Sequence, residues 1–104
     1  LRQRRAQARG VLKQARSAAK GEDQVLMEAA LKNYLVYRLG PRGATLAPDE
    51  AAGVLLGAGA SQDVASGLEQ VLQRLENIRY GGASTQGVCL VIFQWMKDAE
   101  GSWS

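Results

Sequence analysis

The sequence predicts an all-α fold, a small bundle of four to five helices, and three observations point to it. Ala, Leu, Gln, Glu and Arg are abundant while β-branched residues are few, a composition that favours helix. Val64, Leu68, Val71, Leu72, Leu75 and Ile78 recur at the 3.6-residue period. Glycine and proline clusters separate the periodic runs. At 104 residues, 46% of them hydrophobic, the chain suits one domain with a single core.

The first helix is expected over 2–20, with Gly10 costing it about 1 kcal/mol relative to Ala. Gly21 separates it from a second helix over 22–39. Glu22 and Asp23 suit the positive end of that helix's dipole and Arg38 the negative end. Its apolar stripe is Met27, Leu31, Tyr34 and Leu35, with Val25, Ala29 and Val36 expected to widen it.

Gly40-Pro41-Arg42-Gly43 is a stop followed by a loop, since glycine supplies a left-handed cap and proline cannot continue the ladder. A short third helix then starts near Pro48, with Asp49 and Glu50 in its first turn, and runs to about Leu56. Gly57-Ala58-Gly59-Ala60 ends it, and Ser61 is a good N-cap for a fourth helix that stops at Gly81-Gly82. The apolar block 88–93, with Trp95 and Met96, is long enough for a buried strand. An isolated strand has nothing to pair with in a helical chain, so a fifth helix over 85–99 is expected.

Charge is distributed unevenly over these elements. Arg2, Arg4, Arg5, Arg9, Lys13, Arg16 and Lys20 fall in the first twenty residues, which hold no acid, so this segment carries +7 and the remaining 84 residues −4. Positions 2, 5, 9, 13, 16 and 20 occupy an arc of roughly 80° on one side of a helix, with Ala8, Val11, Leu12, Ala15, Ala18 and Ala19 on the other. Such a stripe is either a solvated face or a contact for something anionic. The segment has no aromatic to stack on bases, which favours an anionic membrane surface over nucleic acid. The same charges, with an isoelectric point near 9.4, keep a basic nucleic-acid-binding helical module as the alternative.

Chemistry has few candidates. Histidine is absent, which removes Ser-His and Cys-His nucleophile pairs, and a single Cys89 can neither close an internal disulfide nor build a structural zinc site. Cys89 among aliphatic residues reads as a buried thiol, and Asp49-Glu50 as helix-start electrostatics. The glycines match neither a phosphate-binding loop nor a dinucleotide fingerprint. No catalytic, cofactor-binding or metal-ligating residue is therefore assigned. The last apolar block closes the core or leaves a partner surface at Phe93, Trp95 or Trp103. The longest apolar run is far below the roughly 20 residues of a spanning helix. The chain opens on Leu1 without a signal-like segment, so it is expected to be a piece of a longer protein.

One ordered set of segments carries a resemblance. After the basic helix come Ala30-Leu31-Lys32-Asn33-Tyr34-Leu35 running to Arg38-Leu39-Gly40, Thr45-Leu46-Ala47-Pro48-Asp49-Glu50, Leu68-Glu69-Gln70-Val71-Leu72, and Leu75-Glu76-Asn77-Ile78-Arg79-Tyr80-Gly81-Gly82. Over roughly residues 2–82 this order resembles the cytoplasmic C-terminal domain of BatD proteins, the bacterial aerotolerance or oxygen tolerance family. The Arg79-Tyr80-Gly81-Gly82 ending is also similar to helical domains appended to membrane-bound transglutaminase-like proteins, and 87–104 is more aromatic than the BatD pattern.

The BatD resemblance implies a non-enzymatic, cofactor-free protein-interaction domain on the cytoplasmic side of the bacterial inner membrane, following a single spanning helix. It implies partners among von Willebrand A-domain membrane proteins and a MoxR-type AAA+ ATPase, and a role in envelope stress tolerance. On that reading 1–20 is a juxtamembrane-type basic helix and 21–104 the compact helical part of one domain. Arg2, Arg5, Arg9, Lys13, Arg16 and Lys20 would meet the membrane surface.

Overall fold

In the computed structural model, residues 2–103 are described, with side chains from Ala6 onward. Five α-helices and one 3-10 segment follow one another: α1 Arg2–Lys20, α2 Gln24–Leu39, the 3-10 segment Gly40–Thr45, α3 Pro48–Gly57, α4 Gln62–Gly81 and α5 Val88–Ser102. The described residues are all-α and contain no strand. The pairs α1–α2 and α3–α4 pack as hairpins, and α5 lies against α1, α2 and α4.

Local chemistry accounts for the boundaries. Two hydrogen bonds close the end of α1, from Asp23 N–H to the Ala18 carbonyl at 2.9 Å and from Glu22 N–H to the Ala19 carbonyl at 3.3 Å. This is the Schellman pattern, and Glu22 occupies its left-handed position at φ 49°. Glu22 and Asp23 thus lie before α2 and not in its first turn: Asp23 is the N-cap, its carboxylate accepting from Leu26 N–H at 3.0 Å. The Ser61 hydroxyl caps α4 by accepting from Val64 N–H at 3.2 Å. At α3, Ala47 has no side-chain acceptor. The Glu50 carboxylate supplies the return half of a capping box, accepting from Ala47 N–H at 3.0 Å. The expected loop at 40–45 is instead a 3-10 turn folded onto α2. Helix α5 starts three residues later than expected because Gly87 sits at φ 75°.

The core forms where the alanine side of α1 meets α2 and α5. Ala15 and Ala18 are fully buried, their small side chains letting the helices approach, with Met27, Ala30, Leu31, Tyr34 and Leu35 of α2 opposite. From α3 and α4 come Ala51, Leu55, Val64, Ala65, Leu68, Val71 and Leu75, and from α5 Val88, Ile92, Trp95, Met96 and Ala99. The basic helix expected as a separate juxtamembrane element is therefore also a wall of the core. Val25, Ala29 and Val36 do not widen the α2 stripe. They lie on its outer side and Val25 is 81% exposed, because no helix covers that arc.

Candidate functional site

Helix α1 has two chemically opposite sides. Ala8, Ala15 and Ala18 are buried, Val11, Leu12 and Ala19 pack half-buried at the margin, and Arg9, Lys13, Arg16 and Lys20 are exposed along the outer arc. Among the described residues, none of these four side chains makes an ion pair or hydrogen bond; the ion pairs lie elsewhere, between Arg38 and Glu100 and between Arg79 and Glu28. Of the expected stripe, the Arg2 and Arg5 side chains lie outside the described residues. The arc is a row of like charges over more than three turns, with its counter-charge left to solvent or to a ligand.

The aromatic residues of the last helix occupy different places. Trp95 is buried and its indole N–H donates to the Val64 carbonyl at 2.9 Å. Trp103 is only 4% exposed and its N–H donates to the Ala58 carbonyl at 3.0 Å. Both are core residues, so the expectation of a partner surface at these two rings is corrected: each finds its hydrogen-bond partner inside the fold. Phe93 is half-buried, with the Lys97 ammonium 5.4 Å from its ring centroid. The apolar side chains that α5 does expose are Leu90 and Val91.

A polar cluster joins α2 to the end of the chain, and the sequence offered no sign of it. The Tyr34 hydroxyl donates to Glu100 Oε1 at 3.0 Å and Arg38 reaches the same oxygen at 3.2 Å. Arg38 also donates to the Trp103 carbonyl at 2.7 Å, with its guanidinium 4.3 Å from that ring's centroid. Burial, first, and then the Glu100 charge and hydrogen bond push the Tyr34 phenol far above its ordinary range. It is a hydrogen-bond donor held neutral.

The other titratable candidates serve structure. Burial, and secondarily the carboxylates of Asp23, Glu22 and Glu28, push the Cys89 thiol up, which disfavours the nucleophilic thiolate. Glu50 holds the start of α3. No group of three or more Cys, Asp or Glu among the described residues is arranged to hold a metal ion. Between α4 and α5 runs an open groove of about 910 Å³, with Val64, Gly67 and Trp95 among its lining and Asp63, Arg74, Lys97 and Asp98 adding charges of both signs.

Fold and site together define a small all-α domain with one strongly basic helix face. No family model matches the chain, and no curated protein or solved structure matches it. None of the described helices is long and apolar enough to cross a membrane.

Proposed function

We propose that this chain is a non-enzymatic interaction module whose α1 rests its basic face on the anionic surface of a membrane while the helices behind it meet protein partners. The observation that carries the reading is the division of α1: its alanine side is part of the core, and its Arg9-Lys13-Arg16-Lys20 side is exposed and unpaired among the described residues. With the apolar side of α1 occupied, that helix engages a bilayer through charge and not by burying an amphipathic face.

Magnitude decides what such a contact is for. Each basic residue near an anionic leaflet contributes about 1 kcal/mol, so these four supply about 4 kcal/mol, a weak and salt-sensitive attachment. It orients a domain already tethered, and the further charges of Arg2, Arg4 and Arg5 act in the same segment. A cytoplasmic position fits, because Lys and Arg flanking a spanning segment favour that side. The resemblance to the BatD cytoplasmic domain supports the same address. It adds the partner classes, von Willebrand A-domain proteins and a MoxR-type ATPase, and the setting of envelope stress tolerance.

Co-sedimentation with phosphatidylcholine vesicles, with and without phosphatidylglycerol, tests this. Partition onto the anionic vesicles alone, declining as salt is added, is expected. Equal partition onto both, or onto neither, would sink the reading. Duplex DNA binding that outlasts vesicle binding at the same salt would transfer the face to nucleic acid.

A further inference from the structure

We infer that two copies of this chain pair through the outer side of α2, antiparallel, with Val25 of each copy against Val36 of the other and Lys32 of each beside Glu28 of the other. The pairing is independent of the membrane reading of α1 and is tested in solution without lipid.

Direct contacts bound the surface on both sides. Helical steps of about 100° bring Val25, Ala29, Lys32 and Val36 within an arc of about 60° on α2. All four are exposed, Val25 to 81% and Val36 to 36%. On one margin Asn33 donates to the Gln14 side-chain oxygen of α1 at 3.3 Å, and on the other Glu28 accepts from Arg79 of α4 at 2.9 Å. No described helix covers the arc between these two contacts.

The pattern of the stripe selects a second copy as its occupant. Its spacing, four, three and four residues, reads the same in both directions. That symmetry suits an isologous contact about a two-fold axis, where residue i meets j and j meets i. With the axis at the midpoint of the stripe and perpendicular to α2, Val25 falls opposite Val36 and Ala29 opposite Lys32. Apolar pairs then close both ends, and the small Ala29 side chain leaves room for the Lys32 stem to lie flat.

Charge fixes the same arrangement. Lys32 is exposed and makes no hydrogen bond or ion pair among the described residues. It leans to the α4 margin, because it lines the cleft between α2 and α4 together with Glu28, Glu76 and Arg79. The axis keeps the α4 margins of both copies on one side, so each Lys32 ammonium meets the Glu28 of the other copy, one residue from the opposing Ala29. The Glu28 side chain is 29% exposed while bound to Arg79, and its carboxylate has capacity for a second cation. Lys32 and Arg79 are balanced by Glu28 and Glu76, so the face is neutral and two copies meet without net repulsion.

Size sets the strength. From Val25 to Val36 the stripe spans about 16 Å of helix, and a contact of that length buries less than the ~800 Å² per copy of a standard interface. The pair is therefore weak, with Kd on the order of 0.1 mM.

Sedimentation equilibrium of the full chain between about 10 µM and about 1 mM tests this, with circular dichroism to verify each variant's fold. The expected mass is that of the 11.2 kDa monomer at the low end, rising toward twice that at the high end. Val25→Asp, Lys32→Glu and Glu28→Lys should each weaken association about tenfold or more. Mixed in equal amounts, the Lys32→Glu and Glu28→Lys chains should associate where neither does alone, since both unlike pairs are restored between them. A mass that stays monomeric throughout, or association undiminished by Val25→Asp, overturns the inference. Folded Lys32→Glu and Glu28→Lys chains that do not rescue each other overturn it as well.

Discussion

The phenol of Tyr34 and the carboxylate of Glu100 are joined by a 3.0 Å hydrogen bond across 66 residues of chain, which pins the end of α5 to the middle of α2. Arg38 shares the same carboxylate oxygen and also holds the Trp103 carbonyl. The Tyr34 ring meets Trp95 edge-on at 5.9 Å between centroids. Deleting one hydroxyl here removes a hydrogen bond to a charged group and leaves the carboxylate with one partner fewer. Tyr34→Phe is expected to lower stability by about 1.5 kcal/mol and Tm by roughly 5–10 °C. Unchanged thermal unfolding would show that the contact is not formed in solution.

The same phenol makes stability depend on alkaline pH. Burial and Glu100 raise the folded-state pKa of Tyr34 above its ordinary value of 10.0. Below that pH both states keep the proton and the contribution is complete. Above it the unfolded chain releases a proton that the folded chain retains, so stability falls by up to about 1.4 kcal/mol per pH unit. Urea titrations of wild type and Tyr34→Phe on either side of pH ~10 should show the steeper loss in wild type. Parallel slopes would contradict this origin.

Glu22 holds a backbone conformation better suited to glycine. Its φ of 49° falls at the left-handed position of the Schellman turn, one residue after Gly21. Its side chain is exposed. Glu22→Gly should therefore raise stability by about 0.5–1 kcal/mol, the relief of strain exceeding the added freedom of the unfolded chain. A higher urea midpoint at unchanged slope is the expected result, and a lower one would exclude the strain.

Two glycines should respond in opposite ways. A Cβ on Gly43 would clash with the Leu35 carbonyl, so Gly43→Ala must displace the 3-10 segment from α2 and should cost about 1–3 kcal/mol. Gly53, inside α3, has nothing within 4 Å of such an atom. Gly53→Ala should stabilise by about 0.5–1 kcal/mol. Thermal unfolding of the pair measures the difference, and equal effects would contradict the close approach at Gly43.

Local signals were legible in the sequence where local chemistry decides them. Ser61 caps α4 because a short oxygen side chain reaches a free N–H group, and α1 runs over the residues its periodicity marks; Asp23, expected inside the first turn of α2, is instead its N-cap. Val25 and Val36 failed because periodicity shows that a helix has an apolar side but not how wide an arc its neighbours cover. The basic face of α1 was readable from its spacing. The Tyr34-Arg38-Glu100 cluster was not, since it depends on how the end of α5 meets α2. The tryptophans drew attention as a surface through their apolar bulk. Their N–H groups find the Val64 and Ala58 carbonyls only once α4 and α5 are packed.

The separation of the two faces of α1 is tested most directly by measuring vesicle partition and thermal unfolding together on wild type and on the chain with Arg9, Lys13, Arg16 and Lys20 all changed to Gln. These four side chains are exposed and take no part in the core, so Tm should stay within a few degrees of wild type, as surface substitutions usually do. Partition onto phosphatidylglycerol-containing vesicles should fall by two orders of magnitude or more, given about 1 kcal/mol for each charge. A variant that keeps both its Tm and its vesicle binding would contradict the assignment of this face to an anionic membrane surface.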